Sequence, residues 1–168
     1  MTSLTKSPQT QMLTLPITEA DRQKALKFAQ QQPTEEKQKQ VYSNTLAVLV
    51  VHHYLEMLDI ASDFKSSYSW NRFTRLVADV ADLKITDAKV KKLGHVECRP
   101  VKAGEQFADI PPEVWDERIG YIFVQFDYEY RQGTLLGFLP TVCREQIPIT
   151  QLQPLANFLE FLYQPALN

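Results

Sequence analysis

The sequence predicts an α+β protein in which a small antiparallel sheet, or a partly closed barrel, packs on one long buried helix. Three observations support this class. One helix-length segment is apolar on nearly every side in its middle, two alternating segments flank a short turn, and amphipathic segments lie near both ends of the chain. We therefore expect residues 14–168 to form one domain, flanked by N- and C-terminal helices.

Composition and charge are typical of a globular protein and argue against several kinds of partner. Hydrophobic residues make up 44% and charged residues 23% of the chain, so most of it should fold. The formal net charge of -2 provides no broad positive field for nucleic acid or anionic lipid.

Two cysteines are too few for a disulfide framework, and no secretory signal precedes them, so we expect a cytoplasmic protein. The longest apolar run, residues 46–51, falls far short of the about 20 residues that span a bilayer, so we expect no membrane association.

The N-terminal part is predicted to contain a flexible tail and a short helix. Residues 1–13 are rich in Ser, Thr, Gln and Lys and have no sustained hydrophobic period. Helix is predicted over residues 18–31, because Thr18 and Asp21 imitate a capping box ahead of a short apolar face.

The second helix is the predicted spine of the domain. Pro33 ends the first helix, and Thr34 can cap a long one over residues 35–58. Its deepest core residues are expected to be Val48, Leu49 and Val51. Replacing Leu49 with Ala should cost about 2–5 kcal/mol.

The middle of the chain is predicted to hold a short helix and the first strand. Ser69 can cap a helix that begins at Trp70 and carries Phe73, Leu76 and Val77. Residues 78–85 fit either a continuation of this helix or a strand, and we favour a strand from Asp82 onward.

The remaining elements follow from alternation and turn residues. Residues 93–101 place His95, Glu97 and Arg99 on one strand face and Val96 and Cys98 on the other, and only the second face is expected to be buried. The C-terminal part is predicted as a strand at 119–130, a turn at 131–133, a return strand at 134–142 and an amphipathic helix at 149–163.

Five separated phrases carry a resemblance to a known family. They occupy residues 41–48, 67–71, 96–101, 112–121 and 135–140 and read VYSNTLAV, SYSWN, VECRPV, PEVWDERIGY and LLGFLP. From about residue 15 to residue 162 the chain resembles a cyanobacterial family known as domain of unknown function 1822. The resemblance implies a cyanobacterial, cytoplasmic protein and brings no catalytic residue with it. Family members usually continue into a longer C-terminal part, so it also implies a fragment or a short member.

The histidines and cysteines do not form a pattern typical of a metal site or a nucleophile. His52 and His53 are adjacent on a helix, so their side chains point about 100° apart and cannot both bind one metal. His95 and Glu97 share a strand face, whereas Cys98 points to the opposite side, which argues against a Cys/His pair on this strand. With no glycine-rich phosphate loop, we expect no cofactor, no metal and no catalytic residue.

The candidate binding residues are charged groups and loop tryptophans. Glu97 and Arg99 could form an exposed ion pair, joined by Arg118 only if their strands pair. Trp70 and Trp115 each lie at a junction between a loop and an element, where tryptophan either fills a local core or anchors a partner. The full set of candidates is Trp70, Asn71, Glu97, Arg99, Trp115 and Arg118.

These observations favour a non-catalytic interaction or regulatory module whose partner is another protein. If Arg118 lies exposed against Trp115, replacing it with Ala should leave the melting temperature nearly unchanged and weaken partner binding. One alternative is an enzyme with a site between the long helix and the His95-Glu97-Cys98 strand. Another is a small nucleic-acid-binding barrel, although acidic residues accompany its aromatic strand.

Overall fold

The computed structural model describes residues 12–165, and within them it confirms the α+β class. The α-helices are α1 (Glu19–Gln30), α2 (Glu35–Met57), α3 (Arg72–Val77) and α4 (Leu155–Tyr163). The strands are β1 (Leu13–Pro16), β2 (Ser62–Asp63), β3 (Asp82–Ile85), β4 (Gly94–Val101), β5 (Phe107–Asp109), β6 (Gly120–Phe126), β7 (Gln132–Leu139) and β8 (Gln146–Pro148). Short 3₁₀ turns occupy Tyr68–Trp70, Pro112–Val114 and Ile149–Gln151.

Six of these strands form one curled sheet, a half-barrel in the order β1-β7-β6-β4-β3-β2. Neighbouring strands run antiparallel except β4 and β6, which pair in parallel. This parallel pair departs from the predicted all-antiparallel sheet. Strands β5 and β8 form a separate two-stranded sheet.

Both N-terminal helices begin where their caps were predicted. The hydroxyl of Thr18 accepts from the amide of Asp21 over 3.1 Å, and Thr34 caps α2 in the same way. Helix α2 is the spine of the domain, since Val48 and Val51 are completely buried. Leu49 is buried less deeply and lies outside the main hydrophobic cluster, so its predicted place in the deepest core is wrong.

The sheet has a hydrophobic cluster on each face. The main cluster joins the helices to one face and includes Ile122 and Val124 of β6. The alternate residues Tyr121 and Phe123 belong to a second cluster, which the small β5–β8 sheet and the segment around Val114 help to form. Because this second layer covers β4, the prediction that one face of β4 is exposed is wrong.

Several element boundaries differ from the predictions. The predicted turn at 131–133 and return strand at 134–142 lie too late, because β7 covers Gln132–Leu139. Strand β6 ends at Phe126 because the Asp127 carboxylate accepts from the amides of Arg131 and Gln132 and so closes a turn. Helix α4 begins at Leu155, since Gln153 pairs with Phe138 of β7 as an isolated bridge.

Three further predictions concern the tail, the short helix and the domain. Residues 1–11 of the predicted flexible tail lie outside the described residues, and Leu13 already begins β1. Asn71, not Ser69, caps α3, because its side-chain oxygen accepts from the Thr74 amide over 3.0 Å. That residues 14–168 form one domain stays a prediction.

Candidate functional site

A completely buried carboxylate lies where β4 and β6 pair. Glu97 of β4 accepts hydrogen bonds from Nη1 of Arg99 over 3.1 Å, from Nε of Arg118 over 3.0 Å and from the amide of Ala81 over 2.7 Å. Arg118 precedes β6, so the parallel strand pair brings it to Glu97. The two strands do pair, which is the condition under which Arg118 was predicted to join Glu97. Glu97 and its arginine partners are buried, however, and not exposed as predicted.

Arg99 extends this network toward α2. Its Nη2 donates to both carboxylate oxygens of Asp79, at 3.2 and 3.1 Å, and its Nε donates to the carbonyl of Asp109. Asn44 of α2 donates to the same Asp79 carboxylate over 2.7 Å. The carboxylate of Glu113 accepts from the Asp79 amide. The network thus ties the spine helix, β4 and the segment before β6 together.

Burial and charge act in opposite directions on the ionisable groups here. Burial raises the pKa of Glu97, although the charges of Arg99 and Arg118 act against that rise. Burial alone would lower the pKa of Arg99, but Asp79 and Glu97 outweigh it and the pKa of Arg99 is raised. Burial also raises the pKa of Tyr121 to about 12. Glu97 and Arg99 are both paired with opposite charges, and we interpret them as groups that hold the fold in place.

A second buried carboxylate fixes the loop in front of α3. Asp82 accepts from the amides of Tyr68 and Ser69 and bonds to Nδ1 of His95 over 2.6 Å. The ring of Tyr68 stacks on the imidazole of His95, with centroids 4.6 Å apart and planes within 12°. Tyr68 is therefore held at a set position, although half of it is exposed.

Beside these two networks lies a surface groove of about 390 Å³. Its walls come from the Tyr68 loop, from α3 and from the segment between the Pro112–Val114 turn and β6. The lining residues are Tyr68, Thr74, Val80, Glu113, Asp116, Glu117 and Arg118. Its volume lies within the range of about 300–1,000 Å³ that is usual for ligand pockets.

Helix α3 borders the groove and presents its apolar side to solvent. Phe73, Leu76 and Val77 are 70%, 47% and 61% exposed. The inward residue is instead Arg75, whose guanidinium carbon lies 3.6 Å from the ring centre of Phe28. We call the exposed side of Tyr68, Phe73, Leu76 and Val77 the α3 face. Helix α3 is therefore the reverse of an ordinary surface helix, which turns its apolar side to the core and its charged side to solvent.

The other predicted binding residues have structural partners. Trp70 packs against the main cluster and contacts the rings of Phe28 and Phe64. Trp115 packs against the second cluster, and its indole Nε1 donates to the carbonyl of Ile110 over 3.0 Å. Both tryptophans therefore fill local cores. Asn71 is exposed and caps α3.

Two predictions about charged groups are wrong. Glu97 and Arg99 do not form an exposed pair, because the second layer over β4 buries both. The guanidinium of Arg118 does not lie on Trp115: the cation–π contact that it makes among residues 12–165 is with the ring of Tyr68, at 6.0 Å. Pro112 begins a short helical turn, in the first position where proline suits a helix.

His52 and His53 both contact Glu56, whereas His95 and Cys98 have other neighbours. His52 bonds to Ser62 and Glu56, His53 bonds to Asp21, and His95 bonds to Asp82. Cys98 is completely buried in the main cluster, and burial raises its pKa well above the usual range. A thiol in that environment is a poor nucleophile.

Residues 12–165 contain no metal-binding cluster and no bilayer-spanning helix. No three His, Cys, Asp or Glu side chains of residues 12–165 gather in a way that could hold a metal ion. The absence of a metal from the folded protein stays a prediction, which elemental analysis of purified protein tests. None of the helices in the same range has both the length and the apolar content of a bilayer-spanning segment.

Sequence reasoning did not find the groove or the α3 face. It predicted a short helix that carries Phe73, Leu76 and Val77 but did not indicate which way these side chains face. A helical wheel does set Arg75 opposite these three residues. Which side faces the core depends on Phe28, a partner more than forty residues earlier, and no local pattern reveals that contact.

Comparison with known proteins gives a family without an assigned activity. No curated protein and no solved structure matches the chain. The family described as protein of unknown function (DUF1822) matches residues 15–168, which is most of the sequence. The chain belongs to that DUF1822 family.

Proposed function

We propose that this protein is a non-catalytic interaction module that docks another protein on the α3 face. The observation that carries the proposal is the reversed polarity of α3. Three large apolar side chains point into solvent, while Arg75 of the same helix is buried. Departures of this kind from ordinary hydrophobic patterning concentrate at functional sites.

The outward orientation is held by specific contacts. Nη1 of Arg75 donates to the carbonyl of Ser69, and Nη2 donates to Oε1 of Gln31, each over 3.2 Å. The ring of Phe28 lies under the guanidinium. These contacts compensate part of the cost of burying the charge, although Nε of Arg75 has no hydrogen-bond partner among residues 12–165. Helix α3 therefore cannot turn its apolar side inward without leaving Arg75 unpaired.

A partner that covers the α3 face gains free energy from apolar burial. Fully burying a Val, Leu or Phe side chain contributes about 1.5–3 kcal/mol. Since Phe73 and Val77 are each more than half exposed, much of that contribution is available to a partner. Contiguous exposed apolar residues beside a polar groove are typical of protein-docking surfaces.

The buried networks support this function by positioning the surface. Asp82 fixes Tyr68, and Glu97 holds Arg118 at the base of the groove. Rigid support of this kind lowers the entropy that binding would otherwise cost. Under this proposal Glu97 and Arg99 are positioning residues that do not touch the partner.

The enzyme and nucleic-acid alternatives receive less support. A reactive Cys98 would need a thiolate and a nearby base, whereas its thiol lies in the core with a raised pKa. A nucleic acid would bring phosphates toward the carboxylates of Glu113, Asp116 and Glu117, which repel them.

Location and origin are part of the same proposal. Neither Cys98 nor Cys143 forms a disulfide, which suits the reducing cytoplasm. The cyanobacterial origin that the family resemblance implies is proposed with it.

The proposal is tested by removing the apolar side chains of α3. The variant Phe73→Ser/Val77→Ser should melt with the parent, because exposed substitutions usually change stability by less than about 0.5 kcal/mol. Quantitative affinity capture from a native lysate should recover a partner with the parent protein and lose it with this variant. The matched control is Met57→Ser, which changes an apolar residue that is 64% exposed at the end of α2. Capture that survives the double substitution overturns the proposal.

A further inference from the structure

We infer that the partner segment carries a lysine or arginine next to large apolar side chains, with the cation placed in the groove and the apolar side chains on the α3 face. The inference rests on the proposed function and adds the chemistry of the partner. Thr74 of α3 lines the groove, so the apolar face and the groove are adjacent parts of one surface. A single helix or loop can therefore contact both.

The charge of the groove favours a cation. Glu113, Asp116 and Glu117 all line it and all are exposed. Its one lining cation, Arg118, is already paired with the buried Glu97. The carboxylates of the groove therefore keep an excess of negative charge, which complements a basic partner.

One nearby basic residue offsets part of this excess. The ammonium of Lys37 donates to Oε1 of Gln40 and to the carbonyl of Ala78, which are both neutral, and its charge attracts the carboxylates of Asp79 and Glu113. Arg72 precedes Thr74 by two residues, which sets it about 200° around α3 from the groove. A partner cation is therefore expected to pair mainly with Asp116 and Glu117, which line the groove and form no ion pair among residues 12–165.

Tyr68 adds an aromatic wall beside the carboxylates. Its ring stacks on His95 and its backbone amide is held by Asp82, yet half of the residue is exposed. A Lys or Arg side chain of the partner can contact the exposed part of this ring and pair with the neighbouring carboxylates at the same time. Thr74 of the groove directly follows Phe73 in α3, so the cation and the apolar anchors of the partner lie close together.

The direct experiment uses the full chain and a displayed library of random 16-residue peptides. Peptides enriched on the parent protein should combine large apolar residues with at least one Lys or Arg three or four positions away, the spacing of one helix face. Synthetic copies of these peptides are then titrated against the parent protein and two charge variants.

The two charge variants change net charge equally. In the groove variant, Glu113→Gln/Asp116→Asn/Glu117→Gln, the Kd of the enriched peptides should rise about tenfold. The Kd of the peptides for the groove variant should also change less than that for the parent when the salt concentration is raised from about 50 mM to about 300 mM. In the matched control, Glu105→Gln/Glu129→Gln/Glu145→Gln, three exposed carboxylates outside the groove are neutralised and Kd should stay near that of the parent.

The outcomes separate the inference from the proposed function. Peptides that require Phe73 and Val77 but are neutral or acidic, or that bind the groove variant equally well, overturn the inference and leave the proposed function standing. If no peptide is enriched, or enriched peptides ignore Phe73→Ser/Val77→Ser, both fail. A dimer in sedimentation equilibrium that the same double substitution dissolves would make the occupant a second copy, which also overturns the inference.

Discussion

Nε of Arg118 donates to Oε1 of Glu97 over 3.0 Å, and both side chains are almost wholly buried. They meet because residues 96–101 of β4 pair in parallel with residues 120–125 of β6. A parallel pair needs a long crossover, and here the β5 segment and the Pro112–Val114 turn supply it. The contact thus depends on topology and not on sequence proximity.

Replacing Arg118 with Ala should destabilise the protein by about 3–5 kcal/mol, because Glu97 loses a partner while it remains buried. From the sequence, an exposed Arg118 was expected, and its replacement would then leave the melting temperature nearly unchanged. Because Arg118 is buried, we now expect a large loss of stability. Urea unfolding measures the loss. Arg72→Ala is the control, since Arg72 is exposed and its removal should cost less than about 0.5 kcal/mol. An Arg118→Ala variant as stable as the parent would contradict the buried network.

Leu55→Ala should cost about 2–5 kcal/mol, because Leu55 of α2 is completely buried in the main cluster. Leu49→Ala should cost less, since Leu49 is buried outside that cluster. Thermal or urea unfolding of both variants gives the comparison. If both variants lose the same free energy of unfolding, Leu49 and Leu55 contribute equally to the core, which would contradict this ranking.

The stabilising effect of His53 should decrease as the pH rises. Its hydrogen bond to Asp21 raises the pKa of His53, and Glu56 adds to this. Burial would raise the pKa of Asp21, but the contact with His53 outweighs it and the pKa is lowered. The charged pair therefore stabilises the fold above the unfolded pKa of Asp, about 3.9, and below that of His, about 6.5. As the pH rises through the folded pKa of His53, its contribution is lost.

The measurement compares the parent with His53→Gln at about pH 5.5 and about pH 8.5. The difference in melting temperature should be larger at the lower pH. Burial lowers the pKa of His52, so His52 destabilises the fold at low pH in both proteins. Because His53 also lowers the pKa of His52, this effect is smaller in His53→Gln and subtracts from the expected difference. A difference that stays constant with pH would contradict the charged pair.

Gly137→Ala should destabilise the protein by about 1–3 kcal/mol through strain. Gly137 has a φ of +153°, and a Cβ there would collide with the carbonyl oxygen of Gln153. Gly120→Ala is the control, because the nearest atom to its Cβ would lie at 3.6 Å, an ordinary contact. Unfolding curves of the two variants test this, and equal stabilities would contradict the close approach of residue 153 to β7.

Local signals predicted the elements whose ends are fixed by nearby residues. Thr18 and Thr34 mark the starts of their helices through contacts three residues away, and these starts are confirmed. Helix α4 was placed six residues too early, because its start depends on the pairing of Gln153 with Phe138. Capping is encoded within one turn of chain, whereas strand bridges are not.

The candidate site was only partly predictable for the same reason. The sequence indicated that Arg118 could join Glu97 if their strands paired, which is the observed arrangement. It did not indicate that a second layer would bury both groups, since β5 and β8 have only three residues each. Strands that short carry little alternation to detect.

The pairing of β1 with β7 also has a consequence for synthesis of the chain. Thr14 and Thr134 contact each other although they lie 120 residues apart in sequence. A chain leaving the ribosome exposes β1 first and its partner strand only near the end. The apolar middle of α2 emerges early as well, and β4, β6 and β7, which cover it, follow much later. Until then, folding of the nascent chain depends on keeping that helix away from other chains.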